Sequence, residues 1–285
     1  QSRSSAASDV YKRQLLHGVI IQSGNDASIA IAEHIAGSED AFADMMNATA
    51  ERLGMKNSHF MNATGLPHPD HYSSAHDMAI LARAIINEDA EHYAIYSQKE
   101  FLWNNIKQPN RNLLLWRDRT VDGLKTGHTN EAGFCLVASA VRDGARMITS
   151  VFGTDSESAR AAETQKLLTY GFRFFETRTF YQKGAELAQA PVWKGQANQV
   201  KAGLAQDLTL TLPKGQLEKL QASMTLNQQI TAPIAQGDVI GKVEVKMGDQ
   251  VVHSADLVAL EAVEEGGFFR QLWDSIRLFF YGLFN

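Results

Sequence analysis

Only one cysteine, Cys135, occurs in the 285 residues, so no disulfide can form within the chain. It sits in the apolar run Gly133-Phe134-Cys135-Leu136-Val137, which predicts a buried strand position rather than a reactive thiol. A single thiol fits either the cytoplasm or an exported protein that needs no disulfides. No apolar run approaches the ~20 residues of a membrane-spanning helix, and no leader peptide is visible. Charge of one sign is also scarce: 27 Lys and Arg stand against 32 Asp and Glu, a net charge of -5 with a pI near 6.0. That balance gives no reason to expect a nucleic-acid partner. What remains is ordinary globular composition, 44% hydrophobic and 21% charged, in a length sufficient for one large or two medium domains.

The chain opens oddly. Ser4 to Gln14 resembles the in-frame translation of a transposon-type sequencing adapter, so residues 1–14 are expected to be an artefact, with natural sequence starting near Leu15. A disordered polar tail is the other reading of that composition. Either way, the lack of a leader says nothing about localisation.

From Leu15 the pattern alternates helices with turns. Leu15 to Gln22 is apolar and runs into Ser23-Gly24-Asn25-Asp26; Ala27 to Ala36 reads as a helix carrying Ile29, Ile31 and Ile35. Ser38 caps a second helix ending before Gly54, with Phe42, Met45, Met46, Thr49 and Leu53 on its expected buried side. Ser74 and Asp77 have capping-box spacing and open a helix through Ile86, while Asn57 to Tyr72 is turn-rich. Strands are then expected at Phe101 to Ile106, Leu113 to Trp116, Phe134 to Arg142 and Arg146 to Phe152, the last two joined by the hairpin signal Asp143-Gly144. Ser156 to Phe175 returns to helix, with Ala161, Leu167, Leu168 and Phe172 for its buried face. Helices before and after an antiparallel sheet predict an α+β domain over residues 15–175.

Beyond it the composition shifts. Short strand-like runs at Val192-Trp193, Gln199-Val200, Leu208 to Leu212, Val239 to Val245 and Leu257 to Leu260 are separated by glycine-rich turns. Their even spacing predicts a small all-β sandwich over residues 176–265. In residues 266–285, Phe268/Phe269, Leu272/Trp273, Ile276, Phe279/Phe280 and Leu283 recur at three-to-four spacing among Arg270, Gln271, Asp274, Ser275 and Arg277. That is an amphipathic helix with a wide aromatic face, suited to lie in a bilayer interface. A helix packed on its own domain is the alternative. The glycines of Glu264-Glu265-Gly266-Gly267 are expected to act as a linker that frees the helix.

Ser23-Gly24-Asn25 and Lys125-Thr126-Gly127 say little as isolated tripeptides, but each lies where chemistry would need it. Asp122-Gly123 is expected to turn the chain, and Lys125-Thr126-Gly127 to open a strand toward Phe134-Cys135-Leu136. A lysine there places an ammonium at the mouth of a cleft, a threonine can donate to a carboxylate, and glycine lets an extended ligand approach the backbone. The pair resembles the second and third motifs of the serine penicillin-recognising family. Gln108 to Asn112, Val121 to His128, Leu168 to Glu176 and Val263 to Phe269 extend the match to the low-molecular-mass D-alanyl-D-alanine carboxypeptidases, from Leu15 to Asn285.

The resemblance implies a β-lactamase/transpeptidase-like catalytic domain, incomplete at its N-terminus, followed by the β-sandwich and an amphipathic membrane-anchoring helix. It implies that Ser23 relays a proton to the departing D-alanine and that Asn25 holds the substrate amide. Lys125 supplies positive potential, Thr126 and Arg111 bind the terminal carboxylate, Gly127 admits the peptide as an added strand, and His128 tunes that site. The substrate is a peptidoglycan stem peptide ending in D-Ala-D-Ala, β-lactams are its mimics, and no metal or organic cofactor is required. The setting is the periplasmic face of the bacterial inner membrane, with the sandwich as a spacer. One departure matters: the family acylates the serine of Ser-x-x-Lys, and no serine of this chain has lysine three residues on. The chain as it stands is therefore expected to be inactive. A non-catalytic wall-binding or scaffolding protein and a β-lactamase are the alternatives.

Overall fold

The computed structural model describes residues 11–88 and 90–284, the last six without their side chains. The adapter-like stretch up to Val10 and the side chains of Phe279, Phe280 and Leu283 lie outside the described residues. Two compact units emerge, Gln1–Arg173 and Phe174–Asn285.

In the first unit, α1 (residues 11–17) runs into a π-helical turn, Gly18–Gln22, that buries Ile20 and Ile21. The helices α2 (Asn25–Ala36) and α3 (Glu39–Leu53) follow and pack on one another. Ser38 Oγ accepts the Ala41 N–H at 3.1 Å, the cap its position predicts. The buried positions of α2 and α3 are the small ones, Ala27, Ala32, Ala43 and Ala50, whereas Ile35 and Met45 are exposed. The expected apolar side of α3 is thus corrected: alanines occupy the helix's closest approach, and the large side chains flank it. In α4 (Ala75–Glu88), Ser74 Oγ accepts the Asp77 N–H at 3.1 Å. The carboxylate of Asp77 accepts from the Asn57 N–H (2.7 Å) and Ser58 Oγ (2.8 Å), pinning the turn-rich segment to the helix.

After the single turn α5 (Ala90–Tyr93), β1 (Glu100–Trp103) and β2 (Ile106–Pro109) form a hairpin where one strand was expected. Asn104 and Asn105 turn the chain with φ of 49° and 61°, which asparagine tolerates. Leu113 to Trp116 is not a strand either; it opens α6 (Leu114–Arg117), because Asn112 Oδ1 captures the Leu114 N–H at 3.1 Å and starts a helical turn. The sheet is antiparallel in the order β3 (Val121–Thr129), β4 (Gly133–Arg142), β5 (Ala145–Thr154), followed by α7 (Glu157–Phe174). Every residue of β4 from Cys135 to Ala140 is buried. Leu136, Ala138 and Ala140 face α6 and α7, while Val137 faces Ala82 of α4, so the period of two distributes one strand between two helical layers. On α7, Ala161 and Leu168 are buried as expected, but Leu167 is 45% exposed, one residue off the buried stripe.

The second unit contains β6 (Phe175–Tyr181), β7 (Ala188–Pro191), β8 (Gln199–Leu204), β9 (Leu208–Pro213), β10 (Leu220–Leu226), β11 (Val239–Met247) and β12 (Gln250–Ala259). A five-stranded sheet, β10-β11-β12-β8-β7, and the pair β6-β9 enclose Leu204, Leu208, Val243, Val245 and Leu257. Val243 and Val245 point inward while Lys242, Glu244 and Lys246 do not, the alternation of a half-buried strand. Val192-Trp193 contributes only an isolated bridge, Trp193 to Thr231, not a strand. The unit ends in α8 (Phe268–Phe284). The segment before it is no free linker: Glu265 bridges Gly195, and the Gly266 N–H donates to Lys194 O at 2.7 Å. No helix among the described residues is long and apolar enough to cross a membrane.

Candidate active site

A cleft of about 680 Å³ in the first unit is lined by Ser23, Asn25, Arg111, Lys125, Thr126, Gly127 and His128. All seven residues singled out from the sequence therefore share one cavity, although 102 positions separate Ser23 from Lys125. Several local devices place them.

Ser23 ends the π-helical turn with φ 60° and ψ 45°, a left-handed conformation that disfavours a non-glycine residue by about 1–2 kcal/mol. It persists because its N–H donates to Val19 O (3.1 Å) and that of Gly24 to Gly18 O (3.0 Å). Asn25 begins α2 directly afterwards. Arg111 stands between two buried asparagines. Asn110 Nδ2 donates to Gln98 O at 3.0 Å and its Oδ1 accepts the Asn112 N–H at 2.9 Å, so the turn is fixed and Arg111 is held at the cleft.

Lys125 to His128 lie on β3, at one edge of its sheet, paired on the inner side with Val137, Leu136, Cys135 and Phe134. An edge strand offers free backbone groups to an extended peptide. A Cβ built on Gly127 would meet only Cys135, at 3.9 Å, so packing inside the protein does not demand glycine there. What it leaves open is the cleft. His128 lies against Phe134, ring centroids 4.0 Å apart.

Lys125 Nζ donates to Ser23 Oγ and to Thr126 O at 2.9 Å. Its pKa is lowered to about 8, chiefly by burial and then by the positive charges of Arg111 and Arg160. Lys125 also lines an apolar cavity of about 280 Å³, walled by Met78, Leu81, Ile85, Leu136 and Phe152 among others.

Arg160 is the cleft residue that the sequence reading missed. It is 2% exposed, on α7 in the buried stripe Arg160, Ala161, Thr164 and Leu168. Its guanidinium donates to Gly127 O (3.3 Å), Arg111 O (3.4 Å) and Glu157 Oε1 (3.2 Å) and lies over the Phe134 ring. An arginine in phase with the buried positions of a helix was the available signal. His71, from the turn-rich segment, also lines the cleft; burial and its neighbours His59 and His68 lower its pKa, and Nδ1 accepts the Met61 N–H at 3.3 Å. Glu157 is the one carboxylate among the lining residues, so the cleft is cationic. Among the described residues no cluster of three metal-ligating side chains occurs.

An open edge strand bearing lysine, threonine and glycine, faced by a serine and flanked by two arginines, defines a cleft suited to serine-based acyl transfer on an extended anionic peptide. The comparisons agree. The family model for D-alanyl-D-alanine carboxypeptidase matches residues 3–156, and that for the penicillin-binding protein 5 C-terminal domain matches residues 175–265. This chain belongs to the D-alanyl-D-alanine carboxypeptidase family. It is 45% identical over 270 residues to D-alanyl-D-alanine carboxypeptidase DacC of Escherichia coli, covering 94% of this chain and 68% of that one. With DacA of Haemophilus influenzae it shares 44% over 275 residues, 95% and 70% of the two chains. Penicillin-binding protein 5 from Haemophilus influenzae superposes with a TM-score of 0.75 at 44% identity, over 88% of this chain and 74% of that structure. Penicillin-binding protein D2 from Listeria monocytogenes, solved in a cefotaxime-bound form, gives a TM-score of 0.53 at 31% identity, over 56% and 66%.

Proposed function

We propose that this chain carries the substrate cleft of a serine-type D-alanyl-D-alanine carboxypeptidase acting on peptidoglycan stem peptides in the periplasm and binding β-lactams. The observation that carries the reading is the cationic cleft on the open edge of β3, with Ser23 held on Lys125. The peptide lies along β3 beside Gly127, and its terminal carboxylate meets Thr126, Arg111 and His128, with Arg160 behind them. A nucleophilic serine, its proton taken up by the lysine of its own Ser-x-x-Lys motif, attacks the carbonyl between the two terminal D-alanines. As the C–N bond breaks, the amine of the departing D-alanine takes a proton passed through Ser23, which Lys125 keeps oriented. Water then hydrolyses the ester and restores the serine. Asn25 holds the amide of the acyl part. Lys125, one of three cations around this point, stabilises the developing oxyanion and the carboxylate together.

The nucleophile belongs to a Ser-x-x-Lys motif, and residues 1–285 contain none, so the chain alone is expected to bind such a peptide without cleaving it. A second reading is a wall-binding module without catalysis. The test is a chimaera in which the Ser-x-x-Lys segment of the Haemophilus influenzae relative is joined upstream of Leu15. It is expected to release D-alanine from a peptide ending in D-Ala-D-Ala and to be labelled covalently by a penicillin, whereas the chain alone does neither. A folded chimaera that binds the peptide but never forms an acyl-enzyme would leave only the binding-module reading. Attachment to the inner membrane through α8 is part of the proposal. Phe268, Phe269, Leu272, Trp273 and Ile276 are exposed on one face of it, the pattern of an interfacial helix.

A further inference from the structure

The helix α8 has two sides, and the second has a definite partner. At about 100° per residue, Phe268, Phe269, Leu272, Trp273 and Ile276 share one face and Asp274 lies nearly opposite. Phe268 and Phe269 are 75% and 84% exposed, while Asp274 is 4% exposed. Asp274 Oδ2 accepts the backbone N–H of Lys194 at 2.8 Å and Arg270 Nε at 3.4 Å. Arg270 in turn donates to Asn198 Oδ1, and Arg277 stacks over the Trp193 ring, 5.4 Å from its centroid.

The chain leading into the helix is tied to the same place. Gln196 N donates to Glu264 O at 2.9 Å and Gly266 N to Lys194 O at 2.7 Å. A Cβ on Gly266 would fall 2.9 Å from Gly195 O, so only glycine lets the two backbones meet this closely. Lys194 itself has φ 61°, an unfavourable conformation for lysine that turns its N–H toward Asp274. The residues from Trp193 to Asn198 thus form a cradle for the polar side of α8, and both arginines of the described helix point into it.

We infer that α8 meets the bilayer while still docked in this cradle, with Asp274 as the latch, so that the β-sandwich lies directly against the membrane surface instead of hanging from a flexible tether. The inference rests on the membrane-attachment reading above and adds the pose. The partner is a lipid surface engaged through aromatic and aliphatic side chains. Because Arg270 and Arg277 are turned to the domain, insertion rather than attraction to anionic headgroups dominates the binding. The edge of the domain then stands about one helix diameter, ~10 Å, from the interface.

The experiment is backbone hydrogen exchange of the full chain, free and bound to vesicles of phosphatidylethanolamine with a minority of phosphatidylglycerol, together with a vesicle-partition assay. The expected result is partition into vesicles with the Lys194 amide equally protected in both states, and only a weak dependence on salt. In D274A, protection at Lys194 is expected to fall about tenfold or more while partition changes less than about threefold, since the aromatic face is untouched. Binding accompanied by loss of Lys194 protection in the wild-type chain would overturn the docked pose and leave attachment standing. Unchanged protection in a folded D274A would remove Asp274 as the latch, and loss of its partition would show that the latch maintains the helix, not its pose. Absence of partition in the wild-type chain, including through pairing of two copies on α8, would end the attachment reading and this inference with it. The wild-type comparison stands even if D274A fails to fold.

Discussion

Eight of the nine buried polar or charged residues among those described, from Asp77 to Thr164, lie in the first unit; the second has one, Asp274. The first unit thus accepts the desolvation of aspartate, asparagine, serine, threonine and arginine side chains, with Thr126 and Arg160 at the cleft. The second encloses alanine, valine, leucine and isoleucine, and admits a charge only where a helix is held. Stability and site are separable in such a molecule. The sandwich is built to be a stable body, whereas the first unit also carries buried polar groups, some that fix its turns, such as Asp77 and Asn112, and two, Thr126 and Arg160, that line the cleft.

The largest effect that would sharpen this contrast lies in the sandwich. Leu257, fully buried on β12 against Val243 and Val245, belongs to the second unit and is not among the residues lining the cleft. Leu257→Ala is expected to lower stability by about 3 kcal/mol through lost burial and the cavity left behind. Denaturant unfolding should show that loss while the dissociation constant for a D-Ala-D-Ala peptide stays unchanged. A parallel loss of peptide binding would break the separation.

The opposite behaviour is expected at Lys125. Its folded pKa, about 8, lies below the 10.5 of an ordinary lysine. The folded state therefore binds fewer protons than the unfolded state between those values, and stability rises with pH across that window. Below pH 8 the buried charge is a standing penalty. Lys125→Met is expected to raise the melting temperature at pH 7 and to flatten the rise between pH 8 and 10.5, while weakening peptide binding at least tenfold. In the wild-type chain, peptide binding should decline as pH passes about 8, two units earlier than an exposed lysine would allow. A melting temperature lowered by the substitution would mean that Lys125 supports the fold and is not merely tolerated by it.

The same contrast explains what could be read from the sequence. The extents of helices and strands with a clear period and a turn at each end, such as α3, β4 with β5, and β11, needed no tertiary information, although the buried face of α3 did. Two misread elements fall where a side chain competes with the backbone. Asn112 converts an apparent strand into a helical turn, and two successive asparagines fold one run into a hairpin. The seven cleft residues were legible because they lie in short motifs. Arg160 was signalled only by its phase with the buried face of α7; its partners, carbonyls 33 and 49 positions away, are recorded in no local pattern. The cradle of α8 escaped for a similar reason: Gly266-Gly267 looks like slack until the Gly266 N–H is seen to have a partner.

Gly127 gives the smallest and most discriminating test. Its backbone conformation is that of an ordinary strand residue, and an added methyl would find only Cys135 Cβ at van der Waals distance, 3.9 Å. Gly127→Ala is therefore expected to change stability by less than about 0.5 kcal/mol, within the range of a surface substitution. The methyl would nonetheless occupy the cleft where a peptide strand must approach β3, and peptide binding is expected to weaken severalfold. Gly123→Ala, on the same strand, is the control: its Cβ would fall 2.8 Å from Tyr93 Oη, a clash inside the core that should lower stability first. If Gly127→Ala binds the peptide as well as the wild-type chain does, the ligand does not run along β3, and the glycine of Lys125-Thr126-Gly127 is there for some reason other than access.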